Sequence, residues 1–100
     1  MAPAVALGVA KVVLHLPESH SLKEKRHVVH GLLRRVRKEF QVAAAEIGDR
    51  DRWQLAELAI ACVSAEGRHA DEVLAAALSY IESHADGAQV TDVSTELVHL

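Results

Sequence analysis

The feature that most constrains this chain is the order in which its hydrophobic periodicity changes. Val5 to Leu16 is rich in Val and Leu, with Lys11 and His15 on one alternating face, which predicts a strand. Pro17 ends it, because proline cannot donate to a sheet ladder. Leu22, Val29, Leu33, Val36 and Phe40 then recur at helical spacing and predict a helix over Ser21 to Glu39. Ser21-Leu22-Lys23-Glu24 has the spacing of a capping box with Ser21 as N-cap. Gly31 falls mid-helix, on the side away from the predicted core, at a cost of about 1 kcal/mol against Ala.

Gln41 to Gly48 reads as a second strand, weakened by Ala43-Ala44-Ala45, and 48–52 reads as a polar turn. Glu57 to Ser64 is a third strand with Leu58, Ile60 and Cys62 on one face. A second helix runs from Gly67 to His84 on Ala70, Val73, Leu74, Ala77 and Ile81, with Asp71 and Glu72 near its start. Asp86-Gly87 stops it, and Val90 to Val98 is a last strand. The order β-α-β-β-α-β, with right-handed crossovers, predicts an α+β ferredoxin-like sandwich. Four antiparallel strands then carry both helices on one face, in a single domain over residues 1–100.

Charge is distributed less evenly than the net value of −3 suggests. Seven of the eleven Lys and Arg residues lie between positions 23 and 38, with only Glu24 among them. That segment carries +6, leaving −9 for the remainder. At 100° per residue from Leu22, the predicted core positions fall within about 40° of zero. Arg26, Arg37, His30, Lys23, Arg34, His27 and Lys38 fall between about 40° and 160°, and form one flank of the helix. Arg35 and Lys25 lie elsewhere.

Such a flank is either a solvated face paired with acids of the second helix, such as Glu72 or Glu82, or a surface for an anionic partner. Cations in the first helical turns oppose the dipole, and like charges four residues apart repel. Accepting both costs favours the partner. Lys23, Arg26, His30, Arg34, Arg37 and Lys38 are the expected anion or nucleic-acid contacts. Phosphate at the helix start is a narrower option, in competition with capping by Ser21 and Glu24 for the same N–H groups.

Other chemistry is poorly supplied. His27 and His30 are spaced for a shared metal but sit in a cationic field, so no metal or cofactor is expected. Glu46, Asp49, Asp51 and Glu57 cluster around the central turn and give a remote enzymatic alternative, without a nucleophile or base beside them. No catalytic residue is assigned. Trp53 reads as a hairpin anchor rather than a ligand platform, and Cys62 as inert core. The strands lack the aromatics on which RNA-recognition motifs stack bases, so RNA contact is expected from the helix, mostly to phosphates. Val9, Lys11 and Val13, together with Val93 and Leu97, are expected on the open sheet face as a homodimer interface. No stretch approaches the roughly 20 apolar residues of a membrane span. A lone cysteine and an N-terminus without a charged leader region predict a cytoplasmic protein.

The run Leu16-Pro17-Glu18-Ser19-His20-Ser21-Leu22-Lys23-Glu24-Lys25-Arg26 resembles the opening of the YlxP-like family of small bacterial proteins of unknown function. Phe40-Gln41-Val42, Ala45-Glu46-Ile47-Gly48-Asp49, Asp51-Arg52-Trp53-Gln54 and Val73-Leu74 follow in family order across nearly the whole chain. The resemblance implies a ferredoxin-like fold. It also implies an association with translation, because family members are often encoded beside ribosome-maturation genes, including that for ribosome-binding factor A. It carries over no catalytic residue. The resemblance leads one to expect Arg in many relatives where this chain has His27 and His30, which softens the flank. The expected function is therefore a non-enzymatic binding module that docks ribosomal RNA or a ribosomal precursor through the basic helix, without DNA sequence specificity. The alternative is a protein-assembly module, dimeric through its open sheet, whose flank meets an acidic protein.

Overall fold

The computed structural model describes residues 3–100. Its elements are β1 (Ala6–His15), α1 (Leu22–Phe40), β2 (Ala43–Gly48), β3 (Leu55–Ser64), α2 (Gly67–His84) and β4 (Gln89–His99). The strands form one sheet in the order β2-β3-β1-β4, and every neighbouring pair is antiparallel. This is the ferredoxin-like arrangement the periodicity predicts. Alternation along β1 and β3 decides the faces. Ala10, Val12 and Leu14 with Ala56, Leu58 and Ile60 are sealed beneath the helices. α2 crosses β1 so closely that a Cβ on Gly8 would stand 2.8 Å from Leu74 Cδ1.

Local signals place the helix ends. Ser21 Oγ accepts the Glu24 N–H at 3.1 Å, and the Glu24 carboxylate accepts the His20 N–H at 2.7 Å. Two N–H groups at the helix entrance are thereby satisfied, which is the work of a capping box. Gln41, at φ 53, turns the chain out of α1, so β2 begins at Ala43 rather than Gln41. Asp86 and Gly87, at φ 51 and 86, end α2 as the Asp-Gly pair predicts.

Three expectations are corrected. The buried face of α1 is not centred on Leu22, which is half-buried, but on Lys25, Val29, Leu32, Leu33 and Val36. Gly31 is buried rather than outward, and the long Arg35 side chain lies across it: Nη1 is 3.4 Å from where a Cβ would stand. Val93 and Leu97 pair with Val12 and Gly8, so they share the helix-covered face and not the face of Val9, Lys11 and Val13. A register shift between Val13 and Leu14 sets this phase, and a one-residue slip flips every side chain of a strand.

Candidate anion-binding groove on the basic helix

The first turns of α1 are held by a side chain that the charge pattern alone leaves in solvent. Lys25 is fully buried and points inward with the apolar residues one and two turns on, Val29 and Leu32. Its ammonium lies 3.0 Å from Glu46 Oε2, whose side chain is 6% exposed. It also donates to the carbonyls of Asp49 and Leu55, the latter at 2.8 Å. Glu46 reaches this point because it pairs with Leu58 and so projects to the helix side of β2. One cation therefore neutralises a buried acid and satisfies carbonyls at both ends of the β2–β3 turn. Gln54 ties the same turn to the β1–α1 loop by donating to the carbonyls of Pro17 at 3.3 Å and Ser19 at 3.1 Å.

Two more of the seven clustered cations are committed to the fold. Arg35 donates to the His84 carbonyl at 3.1 Å and lies 3.9 Å from Asp86, a cation at the C-terminal end of α2 where the helix dipole favours it. Arg37 Nε donates to the Ala44 carbonyl at 2.9 Å and joins α1 to β2. The remaining four, Lys23, Arg26, Arg34 and Lys38, make no ion pair or side-chain hydrogen bond among the described residues.

Lys23, Arg26 and Arg34, with His27 and His30, line a groove of about 650 Å³ between α1, the β1–α1 loop and the α2–β4 turn. Leu16, Val28, Gly31 and Ala88 add apolar lining, and the carboxylates of Glu18, Glu24 and Asp86 line the groove as well. Glu24 is occupied with the His20 N–H, and Asp86 faces Arg35. The expected contact set thus divides: Lys23, Arg26, His30 and Arg34 share the groove, while Arg37 and Lys38 lie outside it. His27 belongs with the first group.

The carboxylates behind the enzymatic alternative are not brought together. Glu46 is consumed by Lys25 on the helix side, and Glu57 pairs with Val13 on the open face. Asp49 lies 3.7 Å from Arg52 within the turn. Among the described residues no three His, Cys, Asp or Glu side chains converge as metal ligands would, and no helix is long and apolar enough to cross a membrane. Cys62 is buried beneath the helices, as its strand position predicts.

Residues 7–95 match the model of a family described as protein of unknown function (DUF503). The chain is 36% identical over 77 residues to the uncharacterized protein YlxP of Bacillus subtilis (strain 168), covering 77% of this chain and 84% of that one. Two designed proteins share its fold at low sequence identity. Foldit4 aligns at a TM-score of 0.53 with 14% identity, over 93% of this chain and 96% of its own. The ferredoxin-fold design LFR1 1 aligns at 0.52 with 13% identity, over 94% and 83%. The resemblance carried by the "LPESHSLKEKR" run therefore reflects kinship, and the designs speak to fold alone.

Proposed function

The chain belongs to the family of proteins of unknown function DUF503, and we propose that it is a non-enzymatic RNA-docking module whose contact surface is the α1 groove. One observation carries this reading. In a chain of net charge −3, three cations free of intramolecular partners share one concave surface with two histidines. Their spacing, at 23, 26, 30 and 34 with His27, sets them along successive turns of one helix. A row of point charges along a groove matches a phosphate backbone better than it matches one small anion, and contacts to phosphate position without reading sequence. The translation-linked neighbourhood implied by the family resemblance makes ribosomal RNA or a ribosomal precursor the first substrate to try.

The test is fluorescence anisotropy of labelled ribosomal-RNA fragments over a salt series, with a Lys23/Arg26/Arg34→Gln variant alongside. Phosphate docking predicts log affinity falling linearly with log salt. It also predicts a slope shallower by about two in the variant, since each single-strand phosphate contact contributes about 0.7. Absence of binding at low salt would remove the reading.

The open sheet face favours a second, compatible role in self-assembly. Its two central strands present Leu7, Val9 and Val13 beside Ala59, Ala61 and Val63, the last 71% exposed, and Ile47 on β2 is 48% exposed. Lys11 interrupts the β1 row and Glu57 the β3 row. A twofold axis along the strands, between β1 and β3, lays β1 of one copy on β3 of another and brings each Lys11 towards a Glu57. Charge and apolar rows are thus self-complementary, and aligned sheets pack with their strands within about 30° of each other. A dimer is expected in sedimentation equilibrium, and Val9→Glu is expected to convert it to monomer without loss of helical circular dichroism. A monomeric parent protein at tens of micromolar contradicts this role.

A further inference from the structure

We infer that Trp53 is a stacking platform for an unpaired nucleobase, placed next to the basic groove; the inference rests on the RNA-docking reading. The expected hairpin anchor is absent from the core: Trp53 is 54% exposed, and its indole N–H has no hydrogen-bond partner among the described residues. Nor does it stack on another ring among the described residues; Phe40, Tyr80 and His84 form their own aromatic cluster. A large amphipathic ring left in water at a loop tip has the character of a contact residue.

The tip that carries it is held from several directions. Lys25 binds the carbonyls on either side, at Asp49 and Leu55. The Arg52 N–H closes on the Asp49 carbonyl at 3.0 Å, and the Leu16 N–H reaches the Gln54 carbonyl at 2.9 Å. A ring fixed on a clamped turn loses little conformational entropy when a ligand stacks on it. Beside it lies a recess of about 440 Å³ in which His15 and Arg52 offer planar polar groups, and Gln54, its Nε2 engaged with the loop carbonyls, completes the lining. Asp51 also lines the recess and disfavours a bare phosphate there, which points to the base as the occupant. The β1–α1 loop ties the two surfaces together. Gln54, from the recess, is bonded to Ser19, which lines the groove. A single strand with phosphates along Lys23 and Arg26 passes over that loop to set a base on the indole.

Trp53 is the sole tryptophan of the chain, so intrinsic fluorescence reads this position directly. The protein is titrated with unstructured oligouridylate and oligoadenylate decamers and with a blunt RNA duplex, and anisotropy of labelled strands is followed in parallel. The single strands are expected to quench the fluorescence to saturation, and the duplex to bind without quenching. Trp53→Ala is expected to weaken single-strand binding by about tenfold to a hundredfold. It leaves duplex binding and melting temperature unchanged, and Trp53→Phe recovers part of the loss. Single-strand affinity that is unchanged in Trp53→Ala but lost in Lys23/Arg26/Arg34→Gln overturns the base site and leaves groove docking intact. No anisotropy change with any RNA overturns both.

Discussion

Replacing Lys25 with Met is expected to lower the stability of the fold by about 3–5 kcal/mol, the cost of leaving one member of a buried ion pair without its partner. The side chains are similar in length, so the loss is electrostatic rather than steric. Glu46 keeps its carboxylate in a site only 6% exposed, and the Asp49 and Leu55 carbonyls lose their donor. Glu46 Oε2 is shut off from water, and among the described residues it has no hydrogen-bond donor beyond the ammonium contact. In a 100-residue domain each kcal/mol shifts the melting temperature by about 4–8 °C, so the transition is displaced far outside measurement error. Adding Glu46→Met to the same chain is expected to restore part of the loss, because an apolar pair no longer strands a charge. The two carbonyls stay unsatisfied, so recovery is incomplete. Chemical denaturation of the single and double variants separates these terms. A single variant as stable as the parent would show that the ammonium does not hold the turn.

Truncating Leu32 to Ala is the second large effect. The side chain is fully buried in the hydrophobic core, and such truncations cost about 2–5 kcal/mol through lost transfer free energy and the cavity left behind. The contrast with Leu22→Ala makes the measurement informative. Periodicity alone puts Leu22 at the centre of the core face, yet it is only half-buried, and its truncation is expected to cost markedly less. Equal losses at the two positions would return the core axis to where the sequence pattern puts it.

That contrast also shows where sequence reading stops. Element order, the Ser21 cap, the Asp86-Gly87 stop and the ferredoxin-like arrangement all rest on local periodicity and turn chemistry, which one chain displays openly. The azimuth of α1 does not. The buried positions 25, 29, 32 and 36 follow one another at intervals of four, three and four, but a lysine at the first masks the series, and the face is turned by about 40° from the leucine-based axis. The compensating signal, an acid at Glu46 on the inward side of a strand, becomes visible only with the register of β2 against β3. Strand phase failed in the same way at Val93 and Leu97, since nothing local in β4 announces a shift at Val13 and Leu14. The basic flank was legible as a whole, but its division was not. Arg35 and Arg37 spend their charge on carbonyls of other elements, contacts that depend on tertiary approach. Trp53 was legible as a residue of the central turn, but its exposure was not.

The measurement that bears most directly on the central claim compares two charge-matched triple variants in the RNA salt series. Lys23/Arg26/Arg34→Gln removes three cations from the groove, and Lys38/Arg50/Arg68→Gln removes three exposed cations outside it. The first is expected to lose affinity and to flatten the salt slope by about two, while the second binds as the parent does. Equal losses in both would mean that the chain meets RNA through its overall charge and that the groove has no special part in it.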